Sequence, residues 1–345
     1  MNASQGLRVV VTGATGNVGT SVIRALSRDP AVGSVLGLAR RVPDLVVPGV
    51  EWATVDLSRQ GSPAPLEAHL AGADAVVHLA WRFHPTRRPL VTWRSNVEGS
   101  MRLFEAVRRA GVPVLVHASS LAAYSPGPQH EPGVDEHWAT DGWPDAAYCR
   151  EKAYLERVLD TFELRHPHIR VVRMRPTFLS KETSASEQRR IFAGRHLPGA
   201  LIRPDLLPFL PYPQGLRFQM LHTDDAAEAF RLAVLTDVRG AFNLAADPLV
   251  DAHLLGELLD TRVVPVPAAV ARGALATAWR TRTSPAPPNL FDAVLRIPLM
   301  SCARAHEELR WRPARSASDA LSAVLRGAVH GEGEDTAPMA GKQWG

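Results

Sequence analysis

From Leu7 to Thr12 the chain reads LRVVVT, a continuous β-branched run of the kind found in strands covered on both faces. A glycine-rich turn follows, and then residues 21–27, whose apolar positions fall at helical spacing. Short apolar runs recur at residues 34–39, 51–55, 75–79, 112–118 and 169–174, with helical stretches between them that include residues 96–110 and 146–164. Strands alternating with helices in this way predict an α/β fold built on a doubly wound parallel sheet.

Beyond Met174 the alternation loosens into a segment rich in Pro, Arg and Leu, residues 175–216, and returns with FQMLHTDDAAEAFRLAV and AFNLAAD. The break predicts a sheet domain of residues 1–178 plus about 216–250 and a smaller, discontinuous C-terminal substrate lobe of about 179–215 plus 251–330. Residues 331–345, glycine-rich and acidic, are expected to form a flexible, frayed tail.

Composition narrows the class. The 345 residues are 46% hydrophobic and 21% charged, which excludes a disordered chain, a fibre or a disulfide scaffold. Lys152, Lys181 and Lys342 are the only lysines among 39 cationic residues, and these charges are scattered and answered by 35 acids, a poor footprint for nucleic acid. Cys149 and Cys302 have no metal-like spacing, and no apolar run is long enough to cross a membrane. MNASQG leads straight into a strand-like run, so no signal peptide is expected. A cytoplasmic protein with no membrane, nucleic-acid or metal partner is expected.

Between the first strand and first helix lies Thr12-Gly13-Ala14-Thr15-Gly16-Asn17-Val18-Gly19. Glycines at this spacing serve a dinucleotide: Gly13 for the tight turn, Gly16 for close approach of backbone to a pyrophosphate, and Gly19 for packing of helix against sheet. The turn makes the fold Rossmann-type. At the end of the second strand, Ala39-Arg40-Arg41 holds no acid to accept a ribose 2′-OH, and Arg suits a 2′-phosphate, so NADP(H) is favoured over NAD(H). Asp56, followed by Leu57, is either a partner for the adenine amino group or an exposed turn residue.

Tyr148 and Lys152 stand four apart on a predicted helix and so share a face. With four tyrosines and three lysines in the chain, such a pair has a chance expectation of about 0.03. An ammonium beside a phenol stabilises phenolate, which suits proton exchange with an alcohol or carbonyl oxygen during hydride transfer.

Taken in order, TGATGNVG, Asp56-Leu57, His78-Leu79-Ala80, Asn96, Ser119-Ser120 with Tyr124, Pro144-x-x-x-Tyr148-x-x-x-Lys152, Arg175-Pro176, His222-x-Asp224-Asp225 and Leu309-x-Trp311-x-Pro313 resemble the extended short-chain dehydrogenase/reductase (NAD-dependent epimerase/dehydratase) family. The resemblance covers most of the chain. It implies that Tyr148 is the general acid/base, that Lys152 binds the nicotinamide ribose and lowers the Tyr148 pKa, and that Ser120, four residues before Tyr124, holds the reacting oxygen in preference to Ser119. Asn96 would serve a proton relay, with a helix cap as the plain alternative. Leu79, Ala80, Trp81, Arg175, Pro176 and Phe178 would border the cofactor, together with the glycine-turn residues Thr12, Thr15, Asn17 and Val18. A homodimer through the helices of residues 96–110 and 148–164 is also implied.

The departures bear on substrate. Leu121 and Ala122 stand where dehydratases of the family carry an acidic pair, and Arg217 lies five residues before His222, where an epimerase's diphosphate-binding Arg would lie four before. Trp81 and Phe83 replace small residues on the nicotinamide side; with Phe178 they either line an apolar, even polycyclic, substrate surface or pack against the lobe. The expected activity is oxidoreduction of a secondary alcohol or ketone, a ketoreductase or dehydrogenase, with a cofactor-retaining nucleotide-sugar epimerase as the alternative and a non-catalytic dinucleotide-binding regulator as the third reading.

Overall fold

The computed structural model describes residues 6–59, 64–83, 87–192 and 209–341. The strands are β1 (Leu7–Thr12), β2 (Val32–Ala39), β3 (Val50–Thr54), β4 (Ala75–His78), β5 (Val114–Ala118), β6 (Arg170–Pro176), β7 (Phe178–Ser180), β8 (Leu210–Pro213), β9 (Phe218–His222), β10 (Gly240–Leu244), β11 (Ala246–Val250) and β12 (Val263–Val266). Seven form one all-parallel sheet in the order β10-β6-β5-β4-β1-β2-β3. Chain order reverses between β1 and β4, and in open α/β sheets ligands bind in the crevice outside the strand ends at that reversal.

The sheet is buried because both faces are covered. On one face Val9, Val11, Val77 and Val116 pack with Val22, Ile23 and Leu26 of the first helix, Phe230 of the Thr223–Leu235 helix, and Trp311. On the other, Val10, Val76, Leu115 and Val171 meet Leu103, Phe104 and Val107 of the Gly99–Arg109 helix and Leu155 and Leu159 of the Ala147–Arg165 helix. Strands buried on both sides favour apolar residues at successive positions, which is why they read as near-continuous runs and not as alternation.

After β6 the chain leaves the sheet and returns as β10, beside β6. In between, β7 and β9 pair in parallel; after β10, β11 joins β9 antiparallel, and the Ala317–His330 helix packs on this small sheet through Ala317 and Leu321. β8 and β12 form a separate parallel pair.

Within the expected tail, residues 331–341 are packed against the body of the protein. Gly331, in the left-handed region at φ 73°, ends the last helix and turns the chain back. Glu334 then pairs with Arg24 at 2.7 Å and with Lys181 at 3.1 Å, Thr336 donates to the Thr15 carbonyl, and Met339 is fully buried. Residues 342–345 lie outside the described part.

Candidate active site

The crevice at the β1/β4 reversal opens into two cavities that share Gly13, Gly16, Leu79, Trp81 and Glu187. The first is bordered by Thr12, Thr15, Arg40, Asp56, Leu57, Ala80, Asn96 and, from the tail, Pro338. The second holds Asn17, Val18, Gly19, Phe83, Ser120, Tyr148, Lys152, Pro176 and Phe178. Every residue expected at the site borders one of them except Arg175.

The glycine turn is shaped for a ligand's phosphates. Gly13 takes φ 69°, and a Cβ there would stand 2.6 Å from the Ala80 amide nitrogen. At Gly19 a Cβ would stand 2.2 Å from the Gly13 carbonyl oxygen, so helix and turn touch backbone to backbone. Gly16 differs: its nearest neighbour would be 3.5 Å away, so the fold does not need this position bare. Gly16 also begins the Asn17–Ser27 helix without any side-chain cap. An open cradle over uncapped helix amides fits a pyrophosphate.

Arg40 is exposed at the rim, and Asp56 is engaged by Ser58, whose amide and hydroxyl donate to its Oδ1 at 3.0 and 2.6 Å. The Asp56 carboxylate is thereby fixed in the turn, within the cavity wall.

The Ala147–Arg165 helix carries Tyr148 and Lys152 on the face turned to the end of β5. Ser120 accepts from the Ala122 amide and is hydrogen-bonded to Tyr148, whereas the neighbouring Ser119 donates to Glu156 at 2.5 Å. Ser120 is therefore the serine at the phenol. Burial pushes the Tyr148 phenol up to about 12, against the opposing pull of the Ser120 hydrogen bond. Phe83 and Trp81 meet its ring edge to face at 4.7 and 5.8 Å.

Lys152, which the resemblance assigns to the nicotinamide ribose, borders the same cavity as Tyr148. Its ammonium donates to the Ala118 carbonyl at 2.7 Å and lies 3.6 Å from the centre of the Trp81 ring. Burial pulls it down to about 7, with Glu156 and Glu151 pulling the other way.

Asn96 is not a helix cap. It sits in a widened π turn, Arg94–Glu98, that directs its side chain inward. Its Oδ1 accepts from the Arg82 amide and its Nδ2 donates to Glu151, both at 2.7 Å, while Thr92 donates to the other Glu151 oxygen at 2.6 Å. Glu151 was missed by sequence reading, although its place three residues after Tyr148 on one helix was a usable signal. Asn96 and Glu151 together fasten the segment bearing Trp81.

Arg175 is drawn away from the cavity. Residues 173 and 175 alternate onto one face of β6, and both guanidinium groups meet Glu156, with Arg175 also donating to Tyr124 at 2.9 Å. His222 begins the next helix by accepting the Asp224 amide, and Asp225 accepts from Arg315. Arg217 is exposed just before β9 and borders neither cavity.

Residues 9–245 match the NAD dependent epimerase/dehydratase family. The chain belongs to that family. Among relatives, it is 29% identical over 174 residues to UDP-glucose 4-epimerase of Bos taurus, covering 44% of this chain and 47% of that protein. The chain thus spans about half the length of the curated epimerases it matches. It is 29% identical over 304 residues to ceramide reductase of Caulobacter vibrioides, covering 82% and 81% of the two chains. The crystal structure of Thermus thermophilus UDP-glucose 4-epimerase in complex with NAD superposes with TM-score 0.67 at 20% identity, covering 93% of this chain and 99% of that one, a likeness of fold.

Proposed function

We propose that this family member is a nicotinamide-dependent oxidoreductase acting on a secondary alcohol or ketone, working as a ketoreductase. The observation that carries the reading is the meeting of Ser120, Tyr148 and Lys152 at the inner end of a cavity that begins at the glycine turn. Gly13, Gly16 and the amides after Gly16 would hold the diphosphate, and Asp56 and Leu57 would border the adenine. When bound, the nicotinamide supplies the hydride. Ser120 would orient the carbonyl oxygen of the substrate, and Tyr148, a phenol in its acid form at neutral pH, would donate the proton to that oxygen.

Arg40, at the rim with no acid beside it on β2, supports NADPH over NADH. The likeness to ceramide reductase over four-fifths of the chain supports reduction as the net reaction. A second reading, an epimerase that keeps its cofactor, draws on the likeness to UDP-glucose 4-epimerase. Against it, the described lining of the inner cavity contains no cation besides Lys152 to anchor a nucleotide diphosphate. The absence of any described helix long and apolar enough to cross a membrane is compatible with a cytoplasmic enzyme. The homodimer is retained as part of the proposal, to be read by sedimentation.

Steady-state turnover decides between the readings. Net NADPH consumption with a ketone is expected, and Tyr148→Phe should reduce it by about 100-fold or more with little change in NADPH affinity. Tightly co-purifying cofactor without net consumption would instead establish the epimerase. Arg40→Ala should weaken NADPH about tenfold and leave NADH unchanged.

A further inference from the structure

Beyond Tyr148 the inner cavity, about 320 Å³, is walled by hydrocarbon. Leu290 and Val294 of the Pro288–Val294 helix, together with Ile297, form one side, while Phe83, Phe178 and Met220 contribute from the sheet domain and the small sheet. That helix is fixed by Ala293, which is fully buried with Ala122, Ala146 and Cys149 at the start of the helix bearing Tyr148. The apolar wall is therefore set relative to the phenol. Leu121 and Ala122, where a second acid and base would be needed to eliminate water, are buried in the same wall.

Most polar groups there are already committed or lie at the two ends. Lys152 is held by Ala118, Ser119 by Glu156, Asn17 by Leu179 and Thr223, and Thr177 by Gln219; the buried Trp81 indole N–H has no hydrogen-bond partner among the described residues, and Ser120 and Tyr148 are the hydroxyl pair at the inner end. Glu187 and Gln188 stand toward the glycine turn, and Gln188 donates to the Leu179 carbonyl. A diphosphate carried into such a pocket would lose its hydration without meeting a free cation among the described residues, whereas each methylene buried there strengthens binding about fourfold.

We infer that the substrate is an uncharged, largely hydrocarbon ketone or secondary alcohol, with its one oxygen at Ser120 and Tyr148 and its carbon body against Leu290, Val294 and Phe178. The inference rests on the oxidoreductase reading for the position of the oxygen, and on the cavity wall for the body.

Calorimetric titration of the protein with cyclohexanone, 2-decalone and UDP-glucose, in the presence of NADP⁺, tests it. The expected result is at least tenfold tighter binding of 2-decalone than of cyclohexanone, with a negative heat-capacity change, and no measurable binding of UDP-glucose. Val294→Asp should weaken 2-decalone at least tenfold while NADPH affinity is kept; if that variant does not fold, the near-isosteric Val294→Thr should weaken it measurably. UDP-glucose binding tighter than 2-decalone, or a gain below tenfold between the two ketones, would overturn the substrate class. The two proposals fail separately. Preferential binding of 2-decalone without its reduction by NADPH or NADH leaves the hydrocarbon class standing and removes the ketoreductase, whereas turnover of small polar ketones with no preference for hydrocarbon does the reverse.

Discussion

A phenol raised to about 12 and an ammonium lowered to about 7 stand one helical turn apart, and both shifts come from the same burial. For Lys152 the consequence is a pH-dependent cost. Its pKa is lower in the folded chain than the ordinary 10.5, so between about pH 7 and 10.5 the unfolded chain binds more protons and stability rises with pH. The penalty is therefore full below about pH 7 and fades toward 10.5. Lys152→Met should gain stability relative to the native protein as pH falls from 10 to 7, by roughly 3 kcal/mol across that window, while losing turnover. Urea denaturation at a series of pH values measures this, and a pH-independent difference would show that Lys152 is not destabilised by burial. Asn96 makes a second residue-scale case, since Asn96→Ala leaves a buried Glu151 oxygen and the Arg82 amide without partners. A loss of about 1–3 kcal/mol in the unfolding free energy from urea titration is expected, with a change in tryptophan emission as the segment bearing Trp81 loosens.

At the scale of elements, the strand–turn–helix unit separates space needed by the fold from space left for a ligand. Gly19→Ala would push a methyl to 2.2 Å from the Gly13 carbonyl oxygen, a contact between two backbones, and should cost about 1–3 kcal/mol or more in a thermal melt. Gly16→Ala meets nothing closer than 3.5 Å and should melt within about 2 °C of the native protein. Its NADPH affinity should nonetheless fall tenfold or more, and a Gly16→Ala protein that binds cofactor normally would remove the cradle. This unit was legible in sequence because everything it needs is local, as was the pairing of Tyr148 with Lys152 by helical spacing. What was not legible came together through the tertiary fold. Leu290 and Val294 reach the cavity only because Ala293 docks on a helix more than 120 residues earlier in the chain. Arg175 matched a motif, but Glu156 on the covering helix takes its guanidinium, and no periodicity announces the π turn that directs Asn96 inward.

For the whole molecule, the tail joins the two ends of the chain over the glycine turn. Glu334 is held by two bonds from Arg24, at 2.8 and 2.7 Å, by Lys181 at 3.1 Å and by Thr183, while Thr336 reaches the Thr15 carbonyl and Pro338 borders the outer cavity. Burial alone would raise the Glu334 carboxyl; Arg24 and Lys181 outweigh it and hold the group at about 2, against an ordinary 4.5. Because the folded value is the lower one, the stabilisation is complete above about pH 4.5 and is lost as pH falls through 2. Glu334→Gln should therefore unfold at lower urea than the native protein at pH 7, by on the order of 3 kcal/mol, since it leaves the buried Lys181 ammonium without its carboxylate. The difference should shrink progressively between pH 4.5 and 2, where native Glu334 also becomes neutral. Lys181 then keeps the Thr20 and Ser21 hydroxyls, at 2.7 and 3.1 Å, in both proteins. Equal urea midpoints at pH 7, or a difference that persists unchanged at pH 2.5, would show that the tail is not anchored by this carboxylate. If the outer cavity takes the dinucleotide as proposed, the same substitution should speed cofactor release in stopped flow, because the segment bonded to Thr15 forms part of that cavity's wall.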